Sequence, residues 1–151
     1  METANFQRVG SPSNTHVGNA FEAEARTFFA SQNIILTPGF GVPVGIHISK
    51  KNRKFDLGSE NPPILVECKS HTWTETGNMP SAKITVWNEA MYYFHAAPSQ
   101  YRKILFVLKH SHVKKPLTLA AYYLRTFAHL IPDGVEIWEY DSASKNAERI
   151  H

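Results

Sequence analysis

Apolar residues recur at helical spacing in three stretches of the chain and in short alternating or continuous runs between them. Val17, Phe21, Ala25, Phe28 and Phe29 form one such stripe and predict a helix from about Val17 to Ser31. The following segment, "NIILTPGFGVPVGIHIS", breaks into short β-rich runs around Pro38, Gly39, Gly41, Pro43 and Gly45. A brief strand is expected near Arg53–Leu57, and "GSENPP" turns the chain into another over Ile64–Ser70. After the loop "HTWTETGNMP", Ser81 suits a helix N-cap, with Ile84, Trp87, Met91 and Phe94 as the buried face of a helix ending near Pro98. "KILFVLK" at 103–109 is nearly continuous in its apolar character, as a central strand is. "PLTLAAYYLRTFAHLI" predicts a third helix, closed by Pro132, Asp133 and Gly134, and "VEIWEY" at 135–140 alternates as a strand suited to a sheet edge. The order of elements predicts a three-layer α/β plan with a mixed central sheet. Residues 1–16, with Gly10, Ser11, Pro12, Ser13 and Asn14 together, read as a flexible arm; 17–141 as a single domain; and "SASKNAERIH", 142–151, as a frayed polar tail.

Composition narrows the function classes. With 151 residues, 42% of them apolar, the chain can bury a proper core. It contains no run approaching the ~18 apolar residues of a membrane span, and its first residues lack the basic end and apolar stretch of a secretory signal. A lone Cys68 forms no internal disulfide and suits a reducing, cytoplasmic setting. A net charge of +3 permits nucleic acid as a partner without requiring it. The positive charge is concentrated in "SKKNRK" at 49–54 and "KHSHVKK" at 109–115, both at expected strand ends. Lys50, Lys51, Arg53, Lys54, Lys109, Lys114 and Lys115 are thus the candidate phosphate-backbone contacts.

One strand carries charge where charge is costly. In "ILVECK", 64–69, Leu65, Glu67 and Lys69 face one way and Ile64, Val66 and Cys68 the other. A hairpin between 54–57 and 64–69 returns Asp56 beside Glu67. Two converging carboxylates repel unless a cation lies between them. A hard divalent ion such as Mg²⁺ takes one or two carboxylates together with phosphate and water oxygens. Lys69 beside them can polarise water or hold a phosphate oxygen. The plainer alternative is a structural salt bridge of Glu67 with Lys69 or Arg53. Asp56 at hairpin distance, the apolar strand around E-x-K and an acidic helix upstream favour the catalytic reading.

"FD" at 55–56 followed by "ILVECK" at 64–69 resembles the PD-(D/E)XK nuclease superfamily, with Phe55 where the family name has proline. The similarity extends over about Gly18 to Tyr140. It implies a restriction-endonuclease-like core: a helix, an antiparallel three-stranded meander, a helix and a further strand. It also implies Mg²⁺ or Mn²⁺ held by Asp56 and Glu67, with Lys69 assisting the water. "GNAFEAEA" at 18–25 is similar to the Gly-x-x-x-Glu opening of the resolvase-like branch, which points to Glu22 as a third acidic group, although helical geometry leaves Glu24 open. The family also draws a polar residue from the helix after E-x-K, here Lys83, Asn88 or Glu89.

Other features weigh less. Cys68 faces away from Glu67 and Lys69 and reads as a core residue rather than a nucleophile. His110 and His112 lack the companions a zinc site needs. His71 shares the Lys69 face and is a candidate phosphate group, and Trp73, Thr74 and Thr76 lie within reach of DNA. The sequence reading is therefore a metal-dependent endonuclease acting on DNA, of restriction or resolvase type, working as a homodimer because one site cuts one strand. The alternative is a nucleic-acid-binding module that keeps the fold but does not cut.

Overall fold

The computed structural model describes residues 14–151 as one six-stranded sheet with helices on both faces. In chain order these are α1 (Asn14–Ser31), β1 (Thr37–Val44), β2 (Lys51–Ser59), β3 (Ile64–Lys69), α2 (Ser81–Ala96), β4 (Arg102–Leu108), α3 (Leu119–Phe127), β5 (Val135–Asp141) and β6 (Asn146–Arg149), with a 3-10 turn, Ala128–Leu130, after α3. Strand order follows chain order. β1–β2–β3 run antiparallel, β3–β4–β5 parallel, and β6 returns antiparallel on β5. The sheet is thus mixed, and the α/β plan read from the hydrophobic pattern holds. No helix among the described residues is long and apolar enough to cross a membrane.

Alternation along the strands divides the core in two. Leu65, Leu105, Val107 and Ile137 meet α2 and α3 through Trp87, Phe94 and Tyr123. On the opposite face, Val66, Ile104, Phe106 and Tyr140 meet α1 through Phe21, Ala25 and Phe29. Phe106 is fully buried among rings, 5.8 Å from Phe21, 5.3 Å from Phe29 and 5.4 Å from Tyr140 between centroids, and this fastens α1 to the sheet.

Several expected boundaries are corrected. The expected arm, 1–16, falls mostly outside the described residues, but its last three, 14–16, already belong to α1. Ser81 does not cap α2: it is the first helical residue, Pro80 occupies the cap position, and no side-chain cap bond forms there. The third helix starts later than Pro116, at Leu119, because the Thr118 hydroxyl accepts from the Ala121 N–H and sets the cap. The tail is not frayed. β6 pairs with β5 from Asp141↔Asn146 to Trp138↔Arg149, so β5 is interior. Polarity misled because β6 is held by charge: Arg149 lies 3.2 Å from buried Glu136, which also accepts from Arg102 at 2.9 Å.

The sheet is regular except around Asp56. Phe55 and Leu57, two apart in β2, should share a face, yet Phe55 joins the α2–α3 core and Leu57 the α1 core. The strand therefore rolls over at Asp56. Opposite it on β1, between the pairs Pro38↔Leu57 and Phe40↔Phe55, Gly39 adopts φ +61°, which side-chain-bearing residues adopt only at a cost. A Cβ at Gly39 would meet only the Lys54 side chain, at an ordinary contact distance of 3.9 Å, so mainly that backbone cost should be felt. Gly39→Val is expected to lower stability by ~1–3 kcal/mol in urea unfolding, and Gly39→Asn by clearly less, because Asn tolerates this conformation.

Candidate active site

β2 and β3 pair over three residue pairs only, Ser59↔Ile64, Gly58↔Leu65 and Leu57↔Val66. Beyond them β2 continues along β1 to Lys51, while β3 continues along β4 to Lys69. The two strands thus part at Asp56, and a gap opens between them. Asp56 bridges it: its Oδ2 accepts the Cys68 backbone N–H at 2.8 Å, an amide that β2 no longer reaches.

Asp56 is also the hub of an acidic cluster. Its carboxyl lies near enough to Glu67 of β3 and to Glu22 of α1 to raise the proton affinity of both. Glu22 and Glu24 are thereby separated, since Glu24 turns instead to the Tyr140 hydroxyl. Burial, then the Asp56 charge and the hydrogen bond to Asp56, raise the Glu22 carboxyl above its ordinary value, against a smaller opposing pull from Lys69. Glu67 is only 2% exposed. Its burial, then the Asp56 charge, hold its carboxyl up to about 8 despite Lys69 and Arg53.

Two cations close the cluster. Lys69 Nζ lies 3.7 Å from Glu67 Oε2, and Arg53 Nη2 donates to Glu67 Oε1 at 3.2 Å. Both salt bridges weighed from the sequence are therefore present, alongside the acidic cluster. Arg53, also weighed as a backbone contact, is placed here against Glu67. Its guanidinium lies 3.5 Å from the Tyr93 ring centroid and 5.6 Å from that of Phe55, pointing inward, and its Nε is buried without a partner. The signal was present in the sequence: Arg53 is two residues from Phe55 and so shares its inward face.

The remaining candidates separate by location. His71 lies beside Lys69 and Lys83, its Nδ1 accepting from the Trp87 indole N–H at 2.8 Å. Asn88 is drawn into the core by the Tyr123 hydroxyl, which donates to its Oδ1 at 2.8 Å, and it does not join the carboxylates. Lys51 and Lys54 are exposed on β2, while Lys50 folds back to donate to the Gly45 carbonyl at 2.7 Å. Lys109 and Lys114 are exposed on the loop after β4, and Lys115 lies 5.2 Å from the Trp73 ring centroid. That loop is fastened to the one after β3: His110 Nδ1 accepts the Trp73 N–H at 3.2 Å, and His112 Nε2 meets the Glu75 carbonyl at 2.9 Å. Both histidines thus serve the loops. Cys68 packs with the α1 core, where burial raises its thiol well above its ordinary value.

Among the described residues no three His, Cys, Asp or Glu side chains are disposed to hold an ion as they stand. A hard ion needs less, since Mg²⁺ uses one or two carboxylates and completes its shell with water and phosphate. Asp56 and Glu67 fit that donor set: both are carboxylates, in contact, and in a cluster whose three acids outnumber its two cations.

Glu67 also makes stability depend on pH. Its carboxyl holds a proton in the folded chain that the unfolded chain releases near 4.5. This contribution is complete below about pH 4.5 and is lost as pH rises through about 8. Relative to Glu67→Gln, which cannot ionise, the wild type should lose a few kcal/mol across that window in urea unfolding followed from pH 5 to 8.5 with EDTA present. A difference independent of pH would show that Glu67 titrates normally. No protein-family model, curated protein or solved structure matches this chain, and the chemistry of the cluster is read from its own residues.

Proposed function

We propose that this chain is a divalent-metal-dependent endonuclease that hydrolyses phosphodiester bonds in DNA, built on a PD-(D/E)XK core. The observation that carries the reading is the meeting of Glu22 and Glu67 on Asp56, with Lys69 alongside, where β2 and β3 part. Costly like charges gathered in a gap between strands suit a site that takes a cation and a phosphate together.

In this reading Asp56 and Glu67 hold Mg²⁺ or Mn²⁺, which supplies the positive charge that draws electron density from the phosphate. The chain's own residues do the rest. The hydrogen bond from the Cys68 backbone N–H fixes the Asp56 carboxylate, and Arg53 fixes Oε1 of Glu67, leaving Oε2 toward Lys69. Lys69 donates to the attacking water or to a phosphate oxygen, stabilising the charge that grows as the new P–O bond forms and the opposite one breaks. Glu22, half-buried with a raised proton affinity, is suited to receive the water's proton. The exposed Lys51, Lys54, Lys109 and Lys114 border this end of the sheet and suit a nucleic-acid backbone, where binding weakens with salt. One cluster cuts one strand, so cutting a duplex takes two copies, and a homodimer is part of the proposal.

A second reading, a nucleic-acid-binding module that does not cut, draws on one observation. Both Glu67 oxygens already face cations, Arg53 and Lys69. Two measurements separate the readings. With Mg²⁺ or Mn²⁺, wild type is expected to cut plasmid or branched DNA, and Asp56→Ala and Lys69→Ala to lose ~100-fold or more in rate. Mg²⁺ binding followed calorimetrically in buffers of different ionisation heat is expected to release about one proton at pH 7, because Glu67 must give up its own. Salt-sensitive DNA binding with no cutting on any substrate would move the assignment to the binding module.

A further inference from the structure

His71 stands two residues beyond Lys69, and the charged groups acting on it are Lys69 of β3 and Lys83 in the first turn of α2, with no carboxylate among them. Its Nδ1 accepts the Trp87 indole N–H at 2.8 Å. An indole nitrogen only donates. Nδ1 therefore carries no proton, and the neutral ring must carry it on Nε2. Trp87 is fully buried while His71 is half-buried, so Nδ1 is turned toward the core and Nε2 lies on the opposite edge of a ring that Lys69 and Lys83 are near enough to act on. Among the described residues nothing accepts from Nε2.

A protonated ring here would be a third cation in a half-buried place. Burial first, then Lys69 and Lys83, press the imidazole down to about 4, so it stays neutral over the physiological range. Two ammonium groups, one of them also 3.7 Å from Glu67, and one neutral N–H to which the described residues offer no acceptor suit an anion that offers several oxygens. A lysine point charge attracts such an anion from any direction, whereas a ring fixed at one edge accepts it in one orientation.

We propose that His71, held by Trp87 as a neutral Nε2–H donor, binds together with Lys83 the nucleic-acid phosphate adjacent to the one under attack. This rests on the nuclease reading for its substrate and on the Trp87 bond for its geometry. His71 is thus a fixed donor, and Trp87 its positioning residue.

The test uses the full chain labelled with ¹⁵N. The His71 ring nitrogens are expected to show an unprotonated Nδ1 and a protonated Nε2 from pH 5.5 to 8. Trp87→Phe should abolish that fixed pattern, and a short DNA duplex added with Ca²⁺, so that cutting is not the readout, should shift the Nε2 signal. In the same mixture His71→Ala should weaken duplex binding about tenfold. His71→Gln, which keeps a neutral N–H donor, should stay within about threefold of wild type, and both ratios should be the same at pH 5.5 and 8. A His71 contribution that grows as pH falls would identify a cationic contact and overturn the proposal, as would an Nε2 signal unmoved by bound duplex. No duplex binding by wild type would overturn the nucleic-acid reading, and the phosphate role with it, while the ¹⁵N pattern would still report the Trp87 bond.

Discussion

The hydrogen bond from the Cys68 amide to Asp56 Oδ2 is the contact on which the site depends. Two strands that part inside a sheet leave backbone groups facing a gap, and a buried amide without an acceptor is costly. Asp56 meets that need with a side chain rather than with another strand. In doing so it holds a carboxylate in the gap, within reach of a second on β3 and a third on α1. The same roll of β2 that sends Phe55 and Leu57 into opposite cores thus seats the acidic cluster between the two hydrophobic layers.

Such a cluster is tolerable only if its charge is balanced. Lys69 and Arg53 both lie against Glu67, and with the proton that Glu67 holds the cluster's two remaining negative charges are matched by two positive ones. Arg53 is the less adaptable cation, since its guanidinium is stacked on Tyr93 and committed to one oxygen of Glu67. Lys69, at 3.7 Å, is in looser contact and freer to exchange partners. Under the proposed function a proton and a divalent ion would compete for the same oxygens, which would tie pH, metal affinity and stability to one group.

Much of this was legible in the chain. Three helices and the main strands followed from apolar periodicity, and the face shared by Glu67 and Lys69 followed from the two-residue repeat of a strand. That Asp56 and Glu22 come to the same place depended on tertiary packing; the likeness of "GNAFEAEA" at 18–25 to a Gly-x-x-x-Glu opening pointed to Glu22 where periodicity left Glu22 and Glu24 unresolved. Two features escaped. β6 was hidden because its polar residues are held by the Glu136 ion pairs rather than by apolar burial. Arg53 was grouped with its cationic neighbours, although strand parity turns it inward. Charge runs read along a sequence ignore which way alternate side chains point.

The outer edge of the sheet on the cluster's side is β1, which carries Pro38 and Pro43. A proline has no N–H to offer a neighbouring strand, and two within eight residues make this edge a poor template for another chain. The sheet is thus closed to growth on the flank nearest the carboxylates. A strand laid along that flank would find breaks in its ladder of hydrogen bonds at Pro38 and Pro43.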